Sequence, residues 1–167
     1  TLTMTLVKPP VSQTSTYTLG KNVSATDTIL DNDIPQVTIV SNGSSVTEGG
    51  KLAYTVNLTN ASDTATTVTI QLSGSADKTD FLSAISSDAN VKNIAFNSSN
   101  NTVTFSIAAG QKSASFEIVT KGDGVYEGNE SVVAKVTSAM TDGSVQLVTN
   151  ANAAGLTAAT QTILDAD

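Results

Sequence analysis

Apolar and polar residues alternate with a period of two along almost the whole chain. Thr1–Leu6, Gln36–Val40 and Leu52–Leu58 alternate strictly, and further alternating runs are Thr67–Leu72, Thr102–Ile107, Ala114–Val119, Val132–Val136 and Thr160–Leu164. Each run is about half apolar and rich in β-branched residues, as a strand with one buried face requires. Asn42-Gly43, Glu48-Gly49-Gly50, Asp123-Gly124 and Asp142-Gly143 supply turn chemistry between runs. The only segment with a helical character is a possible turn around Phe81–Ser86. The pattern therefore predicts an all-β chain folded as an antiparallel sandwich.

An internal echo divides this pattern. Asp27-Thr28-Ile29-Leu30-Asp31-Asn32-Asp33 returns 134 positions later as Gln161-Thr162-Ile163-Leu164-Asp165-Ala166-Asp167. Leu2–Val7 then matches Val132–Thr137, the strand before the last. On this reading residues 1–33 are the last two strands of a preceding repeat, and the sequence is part of a longer chain. Residues 34–167 are one complete repeat, entered through Ile34-Pro35. A lone two-strand hairpin is marginal in water, so residues 1–33 need a host. They could pair with an edge of the complete domain, enter another chain as a donated hairpin, or belong to a domain encoded upstream.

Composition narrows the chemistry. Hydrophobic residues make up 39% of the 167, but aromatics only 4%, and there is no Trp. The core must be built from Val, Ile, Leu and Ala with a few Phe. With 15 acidic residues against 8 basic, the net charge of −7 argues against nucleic acid or an anionic membrane surface as partner. The absence of Cys and His removes disulfides, Cys- or His-ligated zinc, thiol nucleophiles and His-based triads. No apolar run approaches the ~20 residues of a spanning helix, and no signal peptide is visible. A Cys-free chain rich in Ser, Thr, Asn and Ala fits a bacterial surface or secreted protein.

The acids gather in turns and at strand ends. Glu48 lies in Val46-Thr47-Glu48-Gly49-Gly50, and Asp77 and Asp80 flank Lys78-Thr79. Asp123, Glu127 and Glu130 share the stretch Lys121–Glu130, and Asp165 and Asp167 end the repeat. Crowded carboxylates repel one another unless a cation neutralises them. Ca2+ suits such a set best, because it takes six to eight oxygen ligands in irregular geometry from loops. Transition metals would prefer the His and Cys that are missing. Residues i and i+2 point to one side of a strand, so Asp165 and Asp167 can grip one ion together.

These landmarks, in this order, resemble the Calx-beta domain family, whose members occur as tandem repeats of large bacterial surface adhesins. The resemblance spans about residues 36–167 and includes Asp80-Phe81, Thr102–Phe105, Ala109-Gly110-Gln111 and Ile163-Leu164-Asp165-Ala166-Asp167. It implies an immunoglobulin-like sandwich of about seven strands, with an extra N-terminal β-hairpin here, and Ca2+ bound at one end. The implied metal ligands are Glu48, Asp80, Asp123, Glu127, Glu130, Asp165 and Asp167, with Asp31 and Asp33 serving the preceding repeat. The chain departs from the family's pattern at Gly122 and Ser73, which replace common acids, and at Ala166, which interrupts the terminal Asp run. One or two ions are then expected rather than three or four. Leu82–Asn100 reads as a polar inserted excursion at one end of the sandwich, and Ala139–Gly155 as an overlong loop.

The expected function is structural: an adhesin-type extender whose Ca2+ rigidifies the joint between neighbouring repeats of the same polypeptide. The alternative is a filament or matrix subunit that assembles by strand addition through residues 1–33. Paired acids such as Glu127 and Glu130 could in principle serve a glycosidase, but such enzymes place them in an aromatic-lined cleft that 3 Tyr, 4 Phe and no Trp cannot build. No enzyme, no nucleic-acid partner and no direct membrane insertion are expected.

Overall fold

The alternating runs become strands, and their paired faces sort the chain into three sheets. The computed structural model describes residues 1–7, 19–28, 35–141, 145–146, 148–149 and 157–166. The chain divides into two compact units, Thr1–Asp33 and Ile34–Asp167. In the first, β1 (Leu2–Thr5) and β2 (Ser24–Asp27) form an antiparallel pair, with Leu2 opposite Asp27 and Thr5 opposite Ser24. The Leu6 amide extends the ladder by donating to the Val23 carbonyl at 2.7 Å.

The second unit is the sandwich. Its strands are β3 (Gln36–Ser41), β4 (Ser45–Thr47), β5 (Lys51–Leu58), β6 (Thr66–Gly74), β7 (Phe81–Ile85), β8 (Val91–Asn97) and β9 (Thr102–Ile107). They continue with β10 (Ser113–Thr120), β11 (Glu130–Thr141), β12 (Val145–Gln146), β13 (Val148–Thr149) and β14 (Ala158–Leu164). One sheet runs β13-β3-β5-β10-β7, and the other β4-β14-β11-β6-β9-β8, with β12 paired to β11. All seven alternating runs of this unit are strands, the immunoglobulin-like arrangement with short additions at the edges.

The alternation places one face of each sheet in the core. Val37, Ile39, Leu52, Tyr54, Val56, Phe116 and Ile118 face Val68, Ile70, Leu72, Val103, Phe105, Val132 and Ile163 across the sandwich, all but fully buried. Phe116 centres the scarce aromatics, 5.6 Å from the Tyr54 ring and 5.2 Å from Phe105. β11 pairs Val136 with Ile70 but Ser138 with Thr69, so Thr137 is an extra residue. That bulge switches the inward set from Val132, Ala134 and Val136 to Ala139 and Thr141. Buried Gln161 ties the layers together, its Nε2 donating to the Ala53 carbonyl at 2.6 Å.

Two expectations need correction around residues 81–100. Phe81–Ile85 is a strand, not a helical turn. Phe81 pairs with Thr120 and Ser83 with Val119, leaving Leu82 bulged outward. The bulge puts the buried Phe81 and Ala84 three positions apart, which imitates helical spacing in the sequence. Nor is 82–100 a polar excursion from one end. β8 extends the larger sheet beside β9, and Val91, Ile94 and Phe96 pack against the core. Phe96 meets Phe81 edge to face at 6.3 Å, closing the side of the sandwich between the edge strands β7 and β8. Asp88 fastens the connection, its two oxygens accepting from the Asn90 and Ser115 amides at 2.9 Å each. The overlong loop expected over Ala139–Gly155 is shortened at its start, where Ala139–Thr141 belong to β11; residues 142–144, 147 and 150–155 lie outside the described residues.

Strand direction fixes the two ends of the unit. β3 runs antiparallel to β5 with Val37 opposite Leu58, while β4 and β14 run parallel with Thr47 beside Leu164. The chain enters at Gln36 beside the Leu58 end and leaves after Leu164 at the Lys51 end. Entry and exit are at opposite poles.

Candidate metal centre

The exit pole gathers the acids because several strands end or begin there. Glu48 follows β4, and its amide donates to the Leu164 carbonyl at 3.1 Å. Asp80 precedes β7, and its carbonyl accepts from the Lys121 amide at 2.8 Å just beyond β10. Glu130 opens β11 opposite Ile163. Gly49, with φ of 73°, turns the chain back into β5 and lies 3.9 Å from the Gly122 amide, measured from where a Cβ would be. A Cβ on Gly122 would in turn stand 3.4 Å from the Gly49 amide nitrogen. Gly49 and Gly122 are thus backbone neighbours at ordinary van der Waals distance.

Asp80, Glu127 and Glu130 converge, each offering a carboxylate oxygen within 4.8 Å of the others. The three come from separate local structures. Asp80 closes a turn in which one of its oxygens accepts from the Asp77 amide, while the Asp77 carboxylate accepts from the Thr79 amide and hydroxyl at 2.6 and 2.7 Å. Glu127 sits in the 121–129 loop, and Glu130 on the first residue of a central strand.

The other sequence-assigned residues divide by what they touch. Asp165 Oδ2 accepts from the Glu127 amide at 2.8 Å and from the Gly128 amide, and the Asp165 amide donates to Asn129 Oδ1 at 3.2 Å. It thereby shapes the loop that carries Glu127. Asp123 pairs with Lys121 at 2.9 Å and accepts from the Val125 amide at 3.2 Å. Glu48 stands at the same pole, outside the three-carboxylate group. Asp31, Asp33 and Asp167 lie outside the described residues. Lys121 and Asn129 had no role in the sequence reading. Lys121 could have been suspected as the base two positions from Asp123 at a strand end.

The ionisation of these crowded carboxylates is shifted in opposite directions. Burial pushes Glu130 up to about 7, helped by the charges of Asp80 and Glu127, a hydrogen bond with Asp80 and the charge of Asp77. Desolvation and the charges of Asp123, Asp80 and Asp77 likewise raise Glu127. Asp77 is lowered by the Thr79 hydroxyl and amide, and Asp123 by its hydrogen bond from Lys121. Two glutamates thus resist ionising, while Asp77 and Asp123 are held charged. A divalent cation reverses the penalty, and an all-carboxylate oxygen set fits a hard ion.

This predicts a pH effect in metal-free protein. Glu130 keeps its proton up to about pH 7 when folded, but only to about 4.5 when unfolded. Between those values the folded state binds more protons, so stability is full below the window and falls as pH rises through it. Urea denaturation in chelator across this range should show the decline, and Glu130→Gln should flatten it. Superimposable curves for the two proteins would remove Glu130 from the account.

The sequence matches no family model, and no curated protein matches it. Solved structures do resemble the fold. The apo-form Calx CBD1 domain aligns at 19% identity over 78% of this chain and 99% of that one, with a TM-score of 0.46. The calcium binding domain CBD12 of CALX1.1 aligns at 19% identity over 76% of this chain, which spans 45% of that protein, with a TM-score of 0.49. A chain of the Coh-OlpC-Doc435 type I cohesin–dockerin complex from Clostridium thermocellum aligns at 6% identity over 83% of this chain and 99% of that one, with a TM-score of 0.50. At such identities the likeness is one of fold, an all-β sandwich.

Proposed function

We propose that this chain is a calcium-binding structural repeat of a bacterial extracellular surface protein, an adhesin-type extender. The observation that carries the reading is the convergence of Asp80, Glu127 and Glu130 at the pole where the chain leaves the sandwich. These three would hold Ca2+, with Asp165 fixing the loop that carries Glu127; Glu48, Asp123 and Asp167 are the further ligands that the sequence resemblance implies. The ion would supply charge neutralisation and cross-link the starts of β7 and β11 to the 121–129 loop. The resemblance to Calx-beta repeats supports the choice of ion.

Opposite entry and exit poles support the extender role, because units joined that way lie end to end. The next unit would begin within two or three residues of the metal-bearing pole, as Ile34-Pro35 follows Asp33. Pro35 fixes φ and limits bending at that joint. In this reading Asp31 and Asp33 belong to the metal pole of the preceding repeat, and calcium stiffens the joint. No catalytic role is assigned.

Isothermal titration of the chelator-treated chain with CaCl2 should give saturable binding at pH 7.5. Asp80→Asn and Glu130→Gln should each weaken it at least tenfold, since each removes one of three convergent carboxylates. Binding that is absent in the wild type, or indifferent to both substitutions, would dismiss the site.

A further inference from the structure

The two strands of the first unit repeat the pairing of the last long strands of the second, residue for residue. Leu2 faces Asp27 as Val132 faces Gln161, Thr3 faces Thr26 as Val133 faces Thr160, and Met4 faces Ala25 as Ala134 faces Ala159. Thr5 opposite Ser24 matches Lys135 opposite Ala158. The next ladder bond agrees too: Leu6 N to Val23 O at 2.7 Å corresponds to Val136 N to Thr157 O at 2.9 Å. The offset is 130 positions on the first strand and 134 on the second, and the latter is also the offset of the Ile-Leu-Asp-x-Asp echo. A slip of one residue would have turned every side chain to the wrong face, so agreement at five consecutive rungs is a specific correspondence.

The faces correspond as well, but not their burial. Val132 and Ala134 are fully buried and Val136 is 2% exposed, whereas Leu2, Met4 and Leu6 are 51%, 67% and 65% exposed. A two-strand ribbon with three large apolar side chains on one face is not stable alone in water. From the matched register and this bare face, we propose that β1 and β2 are the closing strand pair of a second sandwich. Its other strands are equivalents of β3 to β10 carried on the polypeptide N-terminal to β1. Leu2, Met4 and Leu6 are the core side chains that this pair delivers. The inference goes beyond the calcium reading and does not depend on it.

Among the inward-facing positions, one differs in chemistry. Asp27 stands where Gln161 donates to the Ala53 carbonyl, and a carboxylate can only accept there. The preceding sandwich must therefore present a donor at that point.

The test extends the full chain at its N-terminus with a second copy of residues 34–130, so that Thr1 takes the place of Ser131 and β1 and β2 follow in register. Asp27→Gln is included to meet the copied Ala53 carbonyl, and a second version adds Met4→Ala to match the volume at Ala134. Hydrogen exchange and calorimetry are read with and without calcium. In at least one version the added strands should fold in a second cooperative transition, with the β1 and β2 amides slowed at least a hundredfold. Leu6→Asp in that version should abolish this transition and leave the melting of Ile34–Asp167 in place. Added strands that exchange at unfolded rates in both versions, or protection that survives Leu6→Asp, overturn the proposal. So does protection of β1 and β2 in the unextended chain that grows with concentration, which would assign the face to a second copy.

Discussion

Replacing Gly74 with alanine is expected to destabilise the Ile34–Asp167 unit by about 4 kcal/mol or more, among the most severe effects of a single methyl group. Gly74 ends β6 with φ of 132°, a conformation that L side chains rarely adopt. A Cβ there would stand 2.1 Å from the Ser131 carbonyl oxygen and 2.8 Å from its carbon. Neither neighbour can yield cheaply, because both are backbone of β11, a central strand. Ser131 is also engaged on its other side, its amide donating to Ser75 Oγ at 2.8 Å while its hydroxyl accepts from the Ser75 amide at 3.1 Å. The displaced residue adjoins Glu130, so any folded Gly74→Ala protein should also bind calcium more weakly. Gly43→Ala is the control, since that Cβ meets nothing within 4 Å at an ordinary φ. Chemical denaturation of the two variants decides the matter; equal stabilities would refute the packing described at the β6–β11 junction.

Calcium should raise the melting temperature of the chain by about 10 °C when present at a hundred times its dissociation constant. Binding to the folded state alone contributes about 2.7 kcal/mol at that excess, and a unit of this size gains roughly 3–5 °C per kcal/mol. The more discriminating result comes from neutralising the site with Asp80→Asn, Glu127→Gln and Glu130→Gln together. That variant should lose the calcium response. In chelator it should melt above the wild type, because the desolvation and the charge repulsion that raise Glu127 and Glu130 no longer act on neutral amides. Scanning calorimetry of both proteins in calcium and in chelator reads all four values. A wild type whose melt ignores calcium would leave the carboxylates as solvated turn acids.

The pole was partly legible beforehand because acids in turns, separated by regular strands, must surface where strands end. Asp80, Glu127 and Glu130 could be named from their motifs. Which acids meet could not, because the convergence is set by where β7 and β11 start relative to a folded loop. The sequence placed Asp123 with them on equal terms, yet a lysine two residues away takes up its charge. Asp165 reads in the chain as half of an Asp-x-Asp grip, but in the fold its Oδ2 holds the backbone of the loop that presents Glu127. Strands β7 and β8 escaped because each contains a bulge, at Leu82 and between Lys92 and Ala95, that breaks period-two alternation.

By itself, then, the sequence determined the all-β class, the seven long strands and the face each buries. Those follow from side-chain alternation, which is local and needs no knowledge of partners. It also carried the echo that relates the two units. The tertiary structure alone decided the register of β1 against β2, the bulges that re-aim β7, β8 and β11, and which three carboxylates share a site. Each of these depends on pairing between segments far apart in the chain, where a shift of one residue reverses the face and separates the charges.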